Sequence, residues 1–131
     1  MTEYDIITAV TTTGAPKPGG HYAQGVRNGD LLFVSGQLPV RPDGTPSSNL
    51  TFEEQTRIAL ANMLAVVKDG GSAMDRILKV TAYIVGIENW PLFNSIYAEM
   101  FGDWRPARSV VPVPALHYGY LIEVEAIASL A

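Results

Sequence analysis

The sequence predicts an α+β fold, a mostly antiparallel sheet with two helices laid on one of its faces. Three observations carry that expectation. One helix opens with a capping box, a second shows apolar residues at helical spacing, and short β-branched runs separated by glycine and proline flank both. At 131 residues, 47% of them hydrophobic, the chain is expected to form a single domain over 1–131 with enough material for its own core.

A first strand is predicted over Tyr4 to Val10, ended by the threonines, prolines and glycines of TTTGAPKPGG. From Tyr22 to Gly36 two extended runs meet at Asn28-Gly29, a pair that takes positive φ readily, so a hairpin is predicted there. Pro39 to Asn49 holds three prolines and an Asp-Gly pair and is expected to be a surface loop. The first helix starts at Thr51, whose hydroxyl can cap the first turn while Glu54 returns the bond. It ends at Gly70-Gly71, and its wide apolar stripe implies deep burial. A central strand is predicted over Ile77 to Val85.

The second helix has Asn89 as its expected N-cap, Pro91 in its first turn and Gly102 as its stop. Phe93, Ile96, Tyr97, Met100 and Phe101 recur at i, i+3, i+4, i+7 and i+8 between them. Ala107 to Val113 and Tyr120 to Leu130 complete the order βββ-α-β-α-ββ. Two helices cover one sheet face, so the other face calls for a neighbouring chain.

Composition removes several function classes. A net charge of −4 without a Lys or Arg cluster argues against nucleic acid. The absence of cysteine excludes disulfides and thiolate chemistry. His21 and His117 stand apart without neighbouring acids, so no metal site is expected. The acidic N-terminus does not read as a signal peptide and no apolar run approaches the roughly 18 residues of a membrane span, so a cytoplasmic protein is expected. Ser35 lacks the nucleophile elbow of serine hydrolases, and GAPKPGG lacks the Lys-Ser/Thr of a phosphate loop.

Two features remain for chemistry. By the period of two, Glu123 and Glu125 share a face of the last strand with Leu121 and Ile127, which places two carboxylates among aliphatics. Arg108 is an isolated guanidinium in an apolar strand. It is either paired with Glu123 or Glu125, or free as a fork for a small carboxylate.

Six ordered blocks, HYAQGV, VSGQLP, EEQTRIALANMLAV, FNSIYAEMFG, RPARSVV and IEVEAIA, resemble the RidA (YjgF) family of reactive-intermediate deaminases from about Tyr22 to the C-terminus. The resemblance implies a chorismate-mutase-like subunit in a homotrimer whose sheets face inward, with pockets between subunits. It implies cofactor-free hydrolysis of 2-aminoacrylate or 2-aminocrotonate, or their imines, to a 2-oxo acid and ammonia. Arg108 is similar to the family's arginine for the substrate carboxylate, and Glu123 to its water-holding acid. Tyr22, Ser35, Gly36 and Asn94 match positions that line or shape the pocket.

Two departures bear on substrate range. Val110 stands where the family commonly has cysteine, leaving its backbone carbonyl as a partner for the substrate nitrogen. PALHYGY replaces the usual turn and brings His117, Tyr118 and Tyr120 near the pocket mouth. Two alternatives follow: a regulatory trimer that binds small carboxylates without turnover, and a catabolic deaminase of a larger, aminomuconate-like enamine acid. A ribonuclease role ranks last on charge.

Overall fold

The computed structural model describes residues 6–131, in which six strands and two α-helices alternate in the expected order. The strands are β1 (Ile7–Val10), β2 (Gly25–Asn28), β3 (Leu31–Gln37), β4 (Ile77–Val85), β5 (Ala107–Val113) and β6 (Ile122–Ser129). The helices are α1 (Phe52–Asp69) and α2 (Trp90–Phe101). Tyr4 and Asp5, part of the predicted first strand, lie outside the described residues.

The strands form one sheet in the order β1-β2-β3-β6-β4-β5. Every pairing is antiparallel except β4 with β5, which run parallel. A parallel pair needs a crossover connection, and α2 supplies it. Both helices bury their apolar stripes in one core with the inward residues of the sheet. Leu32, Val80, Ile84, Ile122 and Val124 meet Leu60, Met63, Val66 and Phe93 there. The opposite face has no covering layer within the chain. Leu31, Phe33 and Val111 are exposed on it, with Phe33 at 44%.

The capping box of α1 forms as the sequence predicts. Glu54 N–H donates to the Thr51 hydroxyl and the Glu54 carboxylate accepts from Thr51 N–H, each at 3.2 Å. Two polar residues inside the α1 stripe hold the adjoining loops. Asn62 donates to the carbonyls of Leu38 at 3.2 Å and Val40 at 2.7 Å. Gln55 donates to Ser48 and Leu50 carbonyls and accepts from Leu121 N–H at 2.9 Å. The buried face of α1 is wide because it also carries these anchors.

Three local predictions need correction. The hairpin turn is Gly29-Asp30, with Asn28 still paired to Leu31. Only Gly29 has positive φ (60°), the pattern of a type II′ turn, so Asn28 closes the ladder and does not turn it. Asn89 does not cap α2 with its side chain. A short 3-10 turn runs into the helix, and Asn89 Nδ2 donates back to the Val85 carbonyl at 3.0 Å. The last strand begins at Ile122, because His117–Gly119 form a 3-10 turn that takes Tyr120 out of the ladder.

Replacing Asn62 by Ala removes both side-chain bonds to the Leu38–Val40 loop and leaves two carbonyls without them, so a loss of about 1–3 kcal/mol is expected. Urea unfolding measures it, and an unchanged midpoint would show that this anchor contributes nothing.

Candidate functional site

The sheet register decides where the chemistry-bearing side chains lie. Arg108 in β5 pairs with Val80 in β4, which pairs with Ala126 in β6; all three point to the helix-covered face. Val111 pairs with Tyr83, which pairs with Glu123, and this row points to the open face. Arg108 and Glu123 are therefore on opposite sides of the sheet, with β4 between their strands. An ion pair of Arg108 with Glu123 or Glu125, the structural alternative read from the sequence, does not form within the chain.

Arg108 instead rests on α2. Its guanidinium stands 4.8 Å from the centroid of Tyr97 and 5.8 Å from those of Phe93 and Trp90. Nη1 donates to Asn94 Oδ1 at 3.0 Å. Phe93, Tyr97 and Phe101 stack in sequence along the helix, with centroids 5.5 and 4.5 Å apart. The periodic stripe that marks α2 as a core helix is thus also the aromatic platform for the arginine, a role the spacing alone does not reveal. Burial pushes the Tyr97 hydroxyl up to about 12, with Arg108 opposing. That hydroxyl is the buried polar side-chain atom without a hydrogen-bond partner among the described residues. Val110 lies on the same face, paired with Ala82.

Glu123 opens into a separate cleft of about 450 Å³ that Tyr22, Ser35, Gly36, His117 and Tyr118 also line. Between Val34 and Gln37 the ladder with β6 shifts register, and Ser35 and Gly36 occupy the irregularity. Such bulges re-aim the chain beside sites. The Ser35 hydroxyl is spent on the Ala23 carbonyl at 2.6 Å, a bond that ties β3 to the loop before β2. Gly36 faces the carboxylate directly: a Cβ at this position would stand 2.9 Å from Glu123 Oε2. Only a residue without a side chain lets the carboxylate lie there.

Burial holds the Glu123 carboxyl above the usual carboxylate range; His117 opposes that shift and Glu125 adds to it. Glu125 itself accepts from the Tyr83 hydroxyl at 3.0 Å, a bond that raises the tyrosine's pKa. Tyr118 has φ 61° and is 76% exposed, so the backbone holds an aromatic ring at the rim of the cleft in a conformation that L-residues seldom adopt. Tyr120 is buried and does not line the cleft; its ring stands edge-on to Tyr118 at 6.4 Å. Of the residues proposed from sequence, Tyr22, Ser35, Gly36 and Glu123 gather in this cleft, while Asn94 and Arg108 gather on the far side of the sheet. Among the described residues no group of three or more His, Cys, Asp or Glu is placed to hold a metal ion, and no helix is long and apolar enough to cross a membrane.

A family profile described as endoribonuclease L-PSP matches residues 12–130. A RutC family protein of Pyrococcus horikoshii is 38% identical over 119 residues, 91% of this chain and 94% of the relative. The crystal structure of YyfA, a Rid-family protein of Yersinia pestis, superposes with TM-score 0.90 at 40% identity, covering 95% of this chain and 99% of that one. TdcF of Escherichia coli, solved with bound serine, superposes with TM-score 0.89 at 33% identity, covering 95% and 99%.

Because its folded-state pKa is raised, the Glu123 carboxyl costs stability once it ionises and costs nothing where it is protonated in both states. Glu123→Gln is therefore expected to raise the urea midpoint at pH 7 relative to wild type, with the gain fading as pH falls through the raised folded-state value towards 4.5, the ordinary glutamate value, and absent below it. A variant less stable than wild type at pH 7 and equal to it in acid would reverse the sign and the assignment.

Proposed function

Because this chain belongs to the endoribonuclease L-PSP family, which includes the RutC and RidA (YjgF) proteins, we propose that it hydrolyses small enamine or imine acids to a 2-oxo acid and ammonia, in pockets built between two copies of the chain. The observation that carries this reading is the opposition of Arg108 and Glu123 across one sheet. One chain cannot apply both to one substrate. A second copy can, by presenting its open face to the β5 edge of the first, and the exposed Leu31, Phe33 and Val111 give that face a reason to be covered. A closed ring of three, as the family resemblance implies, uses the same contact at every seam.

In this pocket Arg108 binds the substrate carboxylate. One of its donors is committed to Asn94, and the ring of Tyr97 fixes the plane of the fork, so the remaining donors are pre-organised for two oxygens. Glu123 from the adjacent copy then holds a water at the imine carbon. Water oxygen bonds to that carbon, the C=N pair moves onto nitrogen, and Glu123 takes the water proton. The protonated carboxyl returns the proton to nitrogen, giving an amino alcohol. Glu123 then takes the hydroxyl proton and passes it to nitrogen, and the C–N bond breaks as the C–O bond closes to the new carbonyl and ammonia leaves. An enamine enters the same sequence after gaining a proton at its β-carbon. A raised pKa suits both steps, since the carboxylate is then a stronger base for the water proton and the carboxyl it forms stays protonated near neutrality for longer than an ordinary glutamate, in place to donate to nitrogen. Water and these side chains account for every bond change.

A second reading is a carboxylate-binding trimer without turnover. It is favoured by the serine bound to TdcF and by Val110 standing at the family's usual cysteine position. RNA cleavage, which the family's description names, finds little support in a chain of net charge −4.

A threonine dehydratase coupled to this protein supplies the four-carbon enamine, and formation of the 2-oxo acid reports turnover. Arg108→Ala and Glu123→Gln are each expected to lower the acceleration by roughly 10²- to 10⁴-fold. Unfolding and refolding the two variants together should restore about a quarter of wild-type activity, because some seams then receive an intact Arg108 from one chain and an intact Glu123 from the other. No restoration, with mixed trimers verified by mass, would mean that the two residues do not meet at a seam.

A further inference from the structure

Arg108 is not alone in its cleft. On the helix-covered side a cavity of about 510 Å³ is lined by Arg105 and Arg108 together, with Tyr97 and Trp104 among its walls. In a chain with nine basic residues and a net charge of −4, two guanidiniums at one opening concentrate positive charge where the rest of the surface does not. Their circumstances differ. Arg108 is tied to Asn94, whereas Arg105 forms neither an ion pair nor a hydrogen bond among the described residues; the salt bridges there are those of Arg57 with Glu53 and Glu99. Arg27 and Arg41, by comparison, are both engaged with backbone carbonyls.

The backbone carrying Arg105 is nevertheless held in place. Gly102 ends α2 with φ 61°, Trp104 Nε1 donates to the Ile77 carbonyl at 2.9 Å, and Pro106 limits the backbone on the other side. Arg105 thus sits on a short, pinned segment, with its head group uncommitted. Arg108 follows it three positions on, so the two Cα atoms are at most about 10 Å apart. A second carboxylate some two or three carbons beyond the first can then meet one guanidinium at each end. The walls between them are aromatic and suit the intervening methylenes. A cavity of this size also exceeds what a three- or four-carbon acid fills.

We infer that the preferred substrates are dicarboxylic, with the carboxylate beside the imine carbon held by Arg108 and the distal carboxylate held by Arg105. The inference rests on the deaminase reading for the reaction, but binding tests it independently of turnover. Imines of glutamate and of 2-aminobutyrate are released in situ by flavin amino-acid oxidases, and kcat/KM is compared for wild type, Arg105→Gln and Arg105→Lys. In parallel, calorimetry compares glutarate with butyrate on the same proteins.

Wild type is expected to favour the dicarboxylic imine. Arg105→Gln should lower the ratio of the two kcat/KM values by roughly 10- to 100-fold, the worth of a charge-assisted contact, with Arg105→Lys recovering part of it. Glutarate should outbind butyrate, and Arg105→Gln should erase the difference. A ratio that Arg105→Gln leaves unmoved, or a loss shared equally by both imines, overturns the assignment. If neither imine is turned over by wild type, the deaminase reading fails; glutarate binding that depends on Arg105 then still supports the dicarboxylate site, and equal binding of glutarate and butyrate removes it.

Discussion

The alternation of side chains across a pleated sheet is the constraint from which the site follows. β6 runs through the middle of the sheet, and Ile122, Val124, Ala126 and Ala128 are all buried beneath the helices. Once those four are inward, Glu123 and Glu125 have no choice but the other face. The parallel β4–β5 pairing commits Arg108 with equal strictness to the helix side, since Val80 opposite it is fully buried. A one-residue slip in either ladder would bring the arginine and the glutamate to one side, at the cost of turning a strand's apolar set out of the core. Separation of the two groups is therefore built into the packing, and the proposed site, which uses both, takes them from two chains.

Each half of the site is supported by residues whose first role is structural. The aromatic stripe of α2 fills the core and, at its outer margin, carries the guanidinium. The bulge at Ser35–Gly36 breaks the β3–β6 ladder next to the residue that uses the space. Gln24 strengthens the same corner: its amide donates to the Thr12 carbonyl at 3.0 Å, and its Oε1 accepts from Thr12 N–H at 2.7 Å. The loop before β2 is thereby closed against the sheet. Polar anchors of this kind hold irregular backbone in register where no ladder can.

Much of the fold was legible from local chemistry. The Thr51–Glu54 box, the glycines after α1 and α2, and the i, i+3, i+4 pattern of Phe93 to Phe101 act within a few residues, so pattern alone locates both helices. The turn at Gly29-Asp30 and the shortened start of β6 were misplaced by one or two residues, because neighbouring strands decide where a ladder closes. The candidate site was legible only in part. Resemblance pointed to Arg108 and Glu123, but spacing along the chain could not say that they face apart; that depends on which strand stands between them. Nor could it separate Tyr120, withdrawn into the fold by a 3-10 turn, from Tyr118 at the rim. Arg105, a single arginine in a loop, carries no periodic or motif signal.

The close approach of Gly36 to the Glu123 carboxylate has a consequence for how this protein tolerates variation. The atom that a new Cβ would strike is the tip of a flexible side chain, not backbone or core. The fold can relieve the clash by swinging the carboxylate aside. Substitutions at this position should then leave cellular abundance almost intact while removing activity, the reverse of what substitutions at Phe93 or Val80 do. A survey of variants scored separately for quantity and for function would find position 36 silent in the first measure and intolerant in the second.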